Sequence, residues 1–347
     1  MRLSQLGNSE LRVSELCLGT MTFGQQNTIE EAHQQLDLAF ARGVNFIDAA
    51  EMYPVPARAE TQGRTESYVG EWLKQRARDK VILATKIAGP GRPLDWVRNG
   101  STAINRQNVR QAVTDSLRRL KTDYIDLYQI HWPDRYVPQF GSTVYDPACE
   151  RSSTPAAEQI QAIAELIREG KIRYWGLSNE TAWGVVDFVR TAATLGLPKP
   201  VTLQNAYNLL NRHYDSALAE VQRRENVDLI PYSPLAFGLL TGKYLDGIPP
   251  KSRVALFESV GFAGRYRKPN VNEATAAYVK LAREHGLSPA QLALAFVRSR
   301  WFVKSTIIGA TSVEQLEENL ASVDVQLSVE LLAAVEAIHA KYPNPAP

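Results

Sequence analysis

Cysteine is scarce in this sequence, which argues against a disulfide framework and against a thiolate metal site. Only Cys17 and Cys149 occur among 347 residues, one in an apolar run and the other in a polar stretch. A disulfide framework needs several paired cysteines, and a thiolate metal site needs a cluster of them. We therefore expect no disulfide and no metal, and a reducing compartment.

Long apolar runs are also missing. No stretch approaches the roughly 20 apolar residues that a membrane helix requires. Residues 1–16, MRLSQLGNSELRVSEL, lack the basic region and apolar core of a secretory signal. The sequence predicts a cytoplasmic protein that has no membrane partner.

Neither sign of charge is in large excess. Lys and Arg number 39 against 37 Asp and Glu, which gives a net charge of +2, and the two signs alternate along the chain. The densest basic cluster, Arg265, Arg267 and Lys268, is short, and we interpret it as solvated surface. A nucleic-acid partner is not expected, because such a protein carries a basic stripe.

What the sequence does contain is an alternation of short β-branched runs with longer helical patterns. This alternation is typical of βαβ units and a parallel sheet. A barrel of eight such units uses about 250 residues plus insertions as one domain. The predicted fold class is α/β: a single (β/α)8 TIM barrel, with residues 1–347 as one domain.

The predicted elements follow from this pattern. Strands are expected at residues 16–20, 44–49, 81–85, 125–131, 172–177, 201–204, 228–232 and 305–308. Amphipathic helices are expected at residues 30–41, 109–120, 156–168 and 271–284, with a final helix at 328–341. Residues 1–13, with a turn at Gly7, predict an N-terminal β-hairpin that caps the barrel floor. The irregular stretches 89–105 and 133–155 predict long loops at the C-terminal face.

Titratable residues close three consecutive strand candidates. Asp48, Lys86 and His131 each follow an apolar run, and Tyr53 comes shortly after Asp48. Taken singly, each has an ordinary structural explanation, such as a cap, a surface lysine or a core aromatic. The C-terminal ends of barrel strands converge on one mouth, however, so the four together predict a catalytic site there.

Two common nucleotide-binding motifs are not matched. Gly89 and Gly91 are not followed by the third glycine of a Rossmann fingerprint. Residues 238–244, GLLTGKY, resemble a P-loop but have three intervening residues instead of four, and Tyr244 stands where Ser or Thr would bind magnesium. A nucleoside triphosphate is therefore not the expected ligand of this loop.

A collinear series of motifs resembles the aldo-keto reductase superfamily. The motifs are GTMTFG at 19–24, DAAEMY at 48–53, ATK at 84–86, LYQIHWP at 127–133, GLSN at 176–179, QNAYN at 204–208, YSPL at 232–235, GLLTGKY at 238–244 and IIGATSVEQLEEN at 307–319. The series covers nearly the whole chain and resembles in particular the bacterial Tas-type members, which are related to the β subunits of voltage-gated potassium channels. This resemblance implies a barrel that uses NADPH to reduce an aldehyde or ketone.

The resemblance also implies a role for each of the four residues at the mouth. Tyr53 would be the general acid, and the charge of Lys86 would lower the proton affinity of its phenol, which otherwise titrates near about 10. Asp48 would pair with Lys86 and fix its position. His131 would donate to the substrate oxygen; the channel β subunits depart from the family pattern at the matching position, whereas this sequence keeps the histidine.

The cofactor contacts are implied in the same way. Ser178, Asn179 and Gln204 would hold the carboxamide of the cofactor, and Tyr232 would stack on its nicotinamide ring. The other implied contacts are Gly19, Thr20, Met21, Asp48, Ser233, Pro234, Leu235, Gly238, Lys243, Arg253, Gly309, Thr311, Gln315, Glu318 and Asn319. Arg253 and a helix start near Thr311 favour NADPH over NADH, because both suit a phosphate. For Gln315 and Glu318 an exposed helical face is an equally good explanation.

The substrate is defined only as a small carbonyl compound. Candidate apolar walls of its pocket are Phe23, Met52, Trp132 and Tyr207, together with residues of 134–154. Packing in the core is an alternative explanation for each of them. The sequence sets neither the compound nor the oligomeric state.

Two alternative functions stay open. One is a module that senses NADPH or docks on a partner with little turnover, since a fold does not fix a function. The other is a different barrel enzyme, such as a hydrolase that uses Asp48 and Glu51. The hydrolase would leave Lys86 and His131 without a role.

Overall fold

The computed structural model describes residues 1–250, 252–258 and 264–347. Short strands alternate with helices along most of this length. The strands are β1 (Leu3–Gln5), β2 (Arg12–Ser14), β3 (Leu16–Gly19), β4 (Phe46–Asp48), β5 (Ile82–Ile87), β6 (Ile125–Ile130), β7 (Ile172–Ser178), β8 (Thr202–Gln204), β9 (Asp228–Leu229) and β10 (Thr306–Ile308).

Helices follow most of the strands from β3 onward and form the outer ring. They are α1 (Ile29–Ala41), α2 (Arg64–Leu73), α3 (Arg106–Leu120), α4 (Ala156–Arg168), α5 (Ala182–Leu195), α6 (Ala217–Glu225), α7 (Arg253–Glu258), α8 (Val271–Glu284), α9 (Pro289–Ser299), α10 (Val313–Ala321) and α11 (Val329–Lys341). Local sequence sets several of their ends: Thr28 and Ser288 each begin a capping box, and Gly196 ends α5 in the left-handed conformation. None of the helices in the described ranges has the length and apolar character that a membrane crossing requires.

The eight strands β3 to β10 form one parallel sheet whose two edges meet. Its order is β10-β3-β4-β5-β6-β7-β8-β9. The amide of Ile307 donates to the carbonyl of Pro231 at 3.0 Å, and the amide of Lys304 donates to the carbonyl of Leu229 at 3.2 Å. These bonds join the two edges, and the predicted (β/α)8 barrel is confirmed.

The predicted N-terminal hairpin is also confirmed. Strands β1 and β2 pair antiparallel, and Leu6, Leu11 and Val13 are buried in one cluster with apolar side chains of the barrel strands. The amide of Gly7 donates to Oδ2 of Asp228 at 2.6 Å, which fastens the turn to β9. The hairpin thus closes the N-terminal end of the barrel.

The alternation of side chains along each strand decides what reaches the barrel interior. Phe46 and Leu127 lie in the interior cluster at the N-terminal end. Two residues further along the same strands, Asp48 and Gln129 point the same way, because side chains repeat with a period of two. The register pairs Lys86 on β5 with Gln129 on β6, so polar residues share one layer above the apolar one.

Several strands are shorter than the sequence predicts. β4 begins at Phe46 and not at residue 44, and β6 ends at Ile130, so His131 is the first residue beyond it. β9 spans only Asp228–Leu229 of the predicted 228–232. Pro231 has no amide hydrogen to donate, so it takes part in the sheet only as an acceptor. These differences leave the order of the strands unchanged.

Gly70 gives a test of the packing between α2 and the end of α3. A Cβ atom at this position would lie 2.3 Å from the carbonyl oxygen of Arg119 and 2.7 Å from the carbonyl carbon of Leu120. Alanine is favoured over glycine inside a helix by about 1 kcal/mol, but overpacking against backbone costs about 1–3 kcal/mol. We expect Gly70→Ala to lower the free energy of unfolding in urea, and an unchanged or raised value would contradict this packing.

Candidate functional site

A buried lysine lies where the C-terminal ends of β4 and β5 meet. Nζ of Lys86 donates to Oδ2 of Asp48 at 2.6 Å, to the carbonyl of Ala49 at 2.8 Å and to the hydroxyl of Tyr53 at 3.5 Å. The side chain of Lys86 is fully buried. Its three ammonium hydrogens therefore have three acceptors, which is the condition for keeping a charge away from water.

The other carboxylate oxygen of Asp48 is held by two amides. Oδ1 accepts from Nε2 of Gln129 at 3.1 Å and from Nε2 of Gln204 at 2.9 Å. Gln129 is missing from the predicted site, although it stands two residues beyond the interior residue Leu127 on one strand. That alternation was the signal that could have identified it. Asp48 cannot turn away from Lys86 without breaking these bonds.

Tyr53 lies on the loop after β4, with its hydroxyl next to Lys86. Burial raises the pKa of Tyr53 above its ordinary value of 10, while the charge of Lys86 acts in the opposite direction. Lys86 lowers the pKa of this phenol as expected, but burial outweighs it and the net shift of the pKa is upward. Burial by itself lowers the pKa of Lys86, but Asp48 and Tyr53 outweigh it and the pKa rises above its ordinary value.

His131 follows β6 directly, and its ring centre lies 5.6 Å from that of Tyr53 in an edge-on arrangement. Burial, with the nearby charges of Lys86 and Arg92, holds the pKa of His131 well below 6.5. The ring is therefore neutral at pH 7, with one nitrogen as donor and the other as acceptor. Nδ1 is buried and has no hydrogen-bond partner among the described residues.

A cavity of about 540 Å³ opens at this end of the barrel. Tyr53, His131 and Asp48 lie in its wall, while Lys86 lies behind the wall. Every residue expected to contact a cofactor also lines this cavity. They are Gly19, Thr20, Met21, Asp48, Ser178, Asn179, Gln204, Tyr232, Ser233, Pro234, Leu235, Gly238, Lys243, Arg253, Gly309, Thr311, Gln315, Glu318 and Asn319.

The polar residues at the ends of β7 and β8 form a connected group. Oγ of Ser178 donates to the carbonyl of Gln204 at 2.7 Å, and Nδ2 of Asn179 donates to the carbonyl of His131 at 2.8 Å. The hydroxyl of Tyr232 donates to Oδ1 of Asn179 at 2.7 Å. Because Nε2 of Gln204 is engaged by Asp48, its Oε1 atom is the one left to accept from a ligand.

The loop after β9 bends sharply beside the cavity. Ser233, Ala236 and Phe237 adopt positive φ angles of 55°, 47° and 64°, which are unfavourable for residues with a Cβ atom. At Gly238, with φ of 96°, a Cβ atom would lie 3.2 Å from Cε of Lys243. The bend brings Lys243 against the backbone of its own loop, with its ammonium at the cavity.

Arg253 reaches the cavity from the first turn of α7. Its Nη2 donates to Sδ of Met21 at 2.9 Å, and its Cζ lies 4.3 Å from the ring centre of Phe237. Its Nε is buried and has no acceptor within the described part of the chain. A half-buried guanidinium with a buried, unused donor is suited to a phosphate.

The start of α10 forms the far end of the cavity. Oε1 of Gln315 accepts from the amide and the hydroxyl of Thr311, both at 3.1 Å, and Nδ2 of Asn319 donates to the carbonyl of Gly309 at 3.2 Å. Ser312 caps the helix. Glu318 is exposed but borders the cavity.

The structure decides between the alternatives for the candidate pocket walls and corrects one prediction. Phe23 and Tyr207 are fully buried in the core, so the packing alternative holds for both, and the ring centres of Tyr207 and Phe302 lie 5.3 Å apart. Met52 and Trp132 do line the cavity. Arg265 was expected on the solvated surface, yet its side chain is 6% exposed and lines the cavity. Its burial depends on distant segments that local charge patterns do not reveal.

The hydrolase alternative needs both Asp48 and Glu51 at the cavity, but Glu51 does not lie there. Glu51 accepts a hydrogen bond from the amide of Ala88 at 2.6 Å and forms an ion pair with Arg98. It is buried and is not among the described residues that line the cavity. Residues 1–250, 252–258 and 264–347 also contain no group of three or more His, Cys, Asp or Glu side chains that could hold a metal ion.

Comparison with known proteins gives consistent results. Residues 15–340 match the model of the aldo/keto reductase family. The chain is 50% identical to "Protein tas" of Escherichia coli over the full length of both, and 37% identical to an "Aldo-keto reductase" of Babesia bovis over 77% of this chain and 98% of that protein. It is also 33% identical to a "Probable voltage-gated potassium channel subunit beta" of Arabidopsis thaliana, over 94% of this chain and 92% of that protein.

The neutral state of His131 can be tested through the stability of the protein. Because the pKa of His131 lies well below 6.5, the folded protein binds fewer protons than the unfolded chain under mildly acidic conditions. Its contribution to stability is therefore present above pH 6.5 and is lost as the pH falls. Between about pH 6.5 and 5.5 the wild type should lose about 1 kcal/mol more unfolding free energy than His131→Asn, measured in urea. Equal losses in the two proteins would contradict a neutral His131.

Proposed function

This chain belongs to the aldo-keto reductase family, and from that membership and the geometry of its cavity we propose that it reduces an aldehyde or ketone to the alcohol with NADPH, with Tyr53 as general acid. It is thus an oxidoreductase of a family that generally uses NAD(P)H. The observation that carries the finer proposal is the contact of Tyr53 with the buried Lys86–Asp48 pair in the wall of the cavity. The site draws on residues from Gly19 to Asn319, so we propose that residues 1–347 act as one domain.

The nicotinamide end of the cofactor fits the polar group at the ends of β7 and β8. A carboxamide offers both donors and an acceptor, and Ser178, Asn179 and Gln204 present amide and hydroxyl groups at the cavity wall. Tyr232 is half-buried at the same place, with its hydroxyl fixed by Asn179, so its ring is held for stacking. When bound, the reduced nicotinamide supplies the hydride.

The phosphate groups fit the part of the cavity that Arg253 and Lys243 line. Arg253 has a buried Nε without an acceptor, and Lys243 lies on the bent loop beside it. No carboxylate in the described part of the chain neutralises Arg253. An additional phosphate on the adenosine ribose adds negative charge, which these cations and the N-terminus of α10 favour. This is the basis for proposing NADPH over NADH.

The chain's own residues would then handle the proton. Burial raises the pKa of Tyr53, so the phenol keeps its proton at neutral pH and can give it to a carbonyl oxygen that gains negative charge. The phenolate left behind would lie 3.5 Å from Nζ of Lys86, whose charge stabilises it. A neutral His131 could donate a second hydrogen bond to the same oxygen.

The surrounding apolar side chains would limit the access of water. Met52 and Trp132 are almost completely buried and line the cavity next to Tyr53 and His131. Electrostatic interactions are stronger where water is excluded, so this wall increases the effect of Lys86 on the reacting oxygen.

A binding or sensing module is the second candidate. The similarity to the Arabidopsis protein named as a potassium channel subunit favours it. Against it stand Tyr53, Lys86 and His131, because a module without turnover has no need of an acid beside a buried cation.

Replacement of Tyr53 separates the two candidates. Tyr53→Phe removes only the hydroxyl, so we expect turnover of aldehydes to fall about 100- to 10,000-fold while NADPH binding stays within about twofold. Turnover is followed by the loss of NADPH absorbance, and binding by fluorescence titration. Tyr68→Phe, outside the cavity, is the matched control and should keep full activity. Full activity in Tyr53→Phe would rule out Tyr53 as the acid, and NADPH binding by a wild type without turnover would favour the sensing module.

Arg253 tests the preference for NADPH. A charge-assisted hydrogen bond contributes about 1.5–3 kcal/mol, so Arg253→Gln should weaken NADPH binding by about 10- to 100-fold. If Arg253 faces the extra phosphate, NADH binding should change much less. Dissociation constants for both cofactors are measured by fluorescence titration of wild type and variant. Equal weakening for the two cofactors would place Arg253 at a phosphate that both share.

A further inference from the structure

Two further arginines, Arg92 and Arg265, line the cavity and are not used by the proposed reaction. Cζ of Arg92 lies 4.3 Å from the ring centre of Trp132 and 4.1 Å from that of Phe140. Cζ of Arg265 lies 5.8 Å from the same Phe140 ring. Phe140 therefore contacts two guanidinium groups that come from distant parts of the chain.

Neither arginine is paired with a carboxylate in the described ranges. The neighbouring groups that interact with Arg92 electrostatically are Tyr232, Tyr53 and Arg265. The hydroxyl groups of Tyr266 and Tyr232 interact favourably with Arg265, while Arg92 and Arg253 are like charges near it. Arg265 is buried and Arg92 is half-buried, and withdrawing a charge from water without a counter-charge is unfavourable. Two such groups at one cavity are the pattern expected where a ligand brings the negative charge.

The donors of Arg265 are partly unused. Its side chain is 6% exposed, and its Nε is buried without an acceptor. Tyr232 connects Arg265 to the polar group at the end of β7, because its hydroxyl also donates to Asn179. The guanidinium is thus held in place while one of its hydrogen bonds is left open.

Arg92 is close enough to affect the catalytic end of the cavity. Arg92 packs on the ring of Trp132, whose centre lies 4.8 Å from that of His131. A group bound by Arg92 would therefore lie near the carbonyl position between Tyr53 and His131. The charge of Arg253 also acts on Tyr53 and Arg265, but Arg253 and Lys243 lie on the segment after β9 that we assign to the cofactor phosphates.

We propose that Arg92 and Arg265 bind a carboxylate of the substrate, so that the preferred substrates are aldehydes or ketones that also carry a carboxylate. A planar guanidinium matches a planar carboxylate through two parallel hydrogen bonds. The cavity of about 540 Å³ must also contain the cofactor, which favours a compact anion. The proposal rests on the reductase function, and it adds the class of substrate.

The test compares two aldehydes of similar size, para-carboxybenzaldehyde and para-tolualdehyde. We expect wild type to favour the acid, and Arg92→Gln and Arg265→Gln each to lower the ratio of kcat/KM values, acid over neutral, by about tenfold or more. Arg12→Gln is the control, because it removes the same charge from an exposed position on the hairpin at the other end of the barrel. Its ratio should not change.

Three results would overturn the proposal. An unchanged ratio in both variants would mean that the arginines only pack against Trp132 and Phe140. An equal loss for both aldehydes with weaker NADPH binding would assign them to the cofactor. A wild type that reduces the neutral aldehyde at least as well as the acid would contradict the preference for substrates with a carboxylate. It would not contradict the reductase function.

A binding measurement decides the question without turnover. Calorimetry with the NADP⁺-loaded protein compares para-(hydroxymethyl)benzoate with para-methylbenzyl alcohol, the products of the two reductions. Tighter binding of the carboxylate that is lost in Arg92→Gln and Arg265→Gln supports the proposal, and equal binding of the two compounds overturns it. If no aldehyde is turned over, the reductase function fails while this measurement still reports on the anion site.

Discussion

The ion pair between Lys86 and Asp48 is the interaction on which the rest of the site depends. A lysine that is fully buried keeps its charge only if its three hydrogens have acceptors, and Asp48, Ala49 and Tyr53 supply them. The barrel makes this possible, because parallel strands end at one face and neighbouring strands hold Asp48 and Lys86 in fixed register. Gln129 and Gln204 then prevent Asp48 from turning away. The same pair fixes the position of the phenol of Tyr53, because Lys86 donates to its hydroxyl. The proposed proton transfer therefore depends on how the fold places Lys86 and Asp48.

The distribution of charge around the cavity connects the proposals. The charge of Lys86 is balanced within the protein, whereas Arg253, Arg92 and Arg265 have no carboxylate partner in the described part of the chain. Charge that is withdrawn from water without a partner is unfavourable in the free protein, and a negatively charged ligand can remove that cost. Arg253 packs against the bent loop after β9, Arg265 lies beside Tyr232, and the charge of Arg92 acts on Tyr53 and His131. In this account the cofactor brings negative charge to one half of the cavity and the substrate brings it to the other.

The sequence was sufficient for the barrel, the hairpin and the residues at the ends of β4, β5 and β6, because the alternation of short runs and the order of the chain determine where strand ends meet. It was not sufficient where contacts between distant segments decide. Arg265 belongs to a basic cluster typical of surface, yet it is buried beside Tyr232. Tyr207 looked like a pocket wall but packs in the core. The net direction of the pKa shift of Tyr53 depends on burial, which a motif does not report.

The most direct test of the account follows one hydrogen atom. NADPH that carries deuterium at the transferable position of its nicotinamide is incubated with the wild-type protein and an aldehyde, and the alcohol is analysed by mass spectrometry. The account predicts that the alcohol contains one deuterium on its former carbonyl carbon. An alcohol without deuterium, or no alcohol from any aldehyde although the protein binds NADPH, would contradict it.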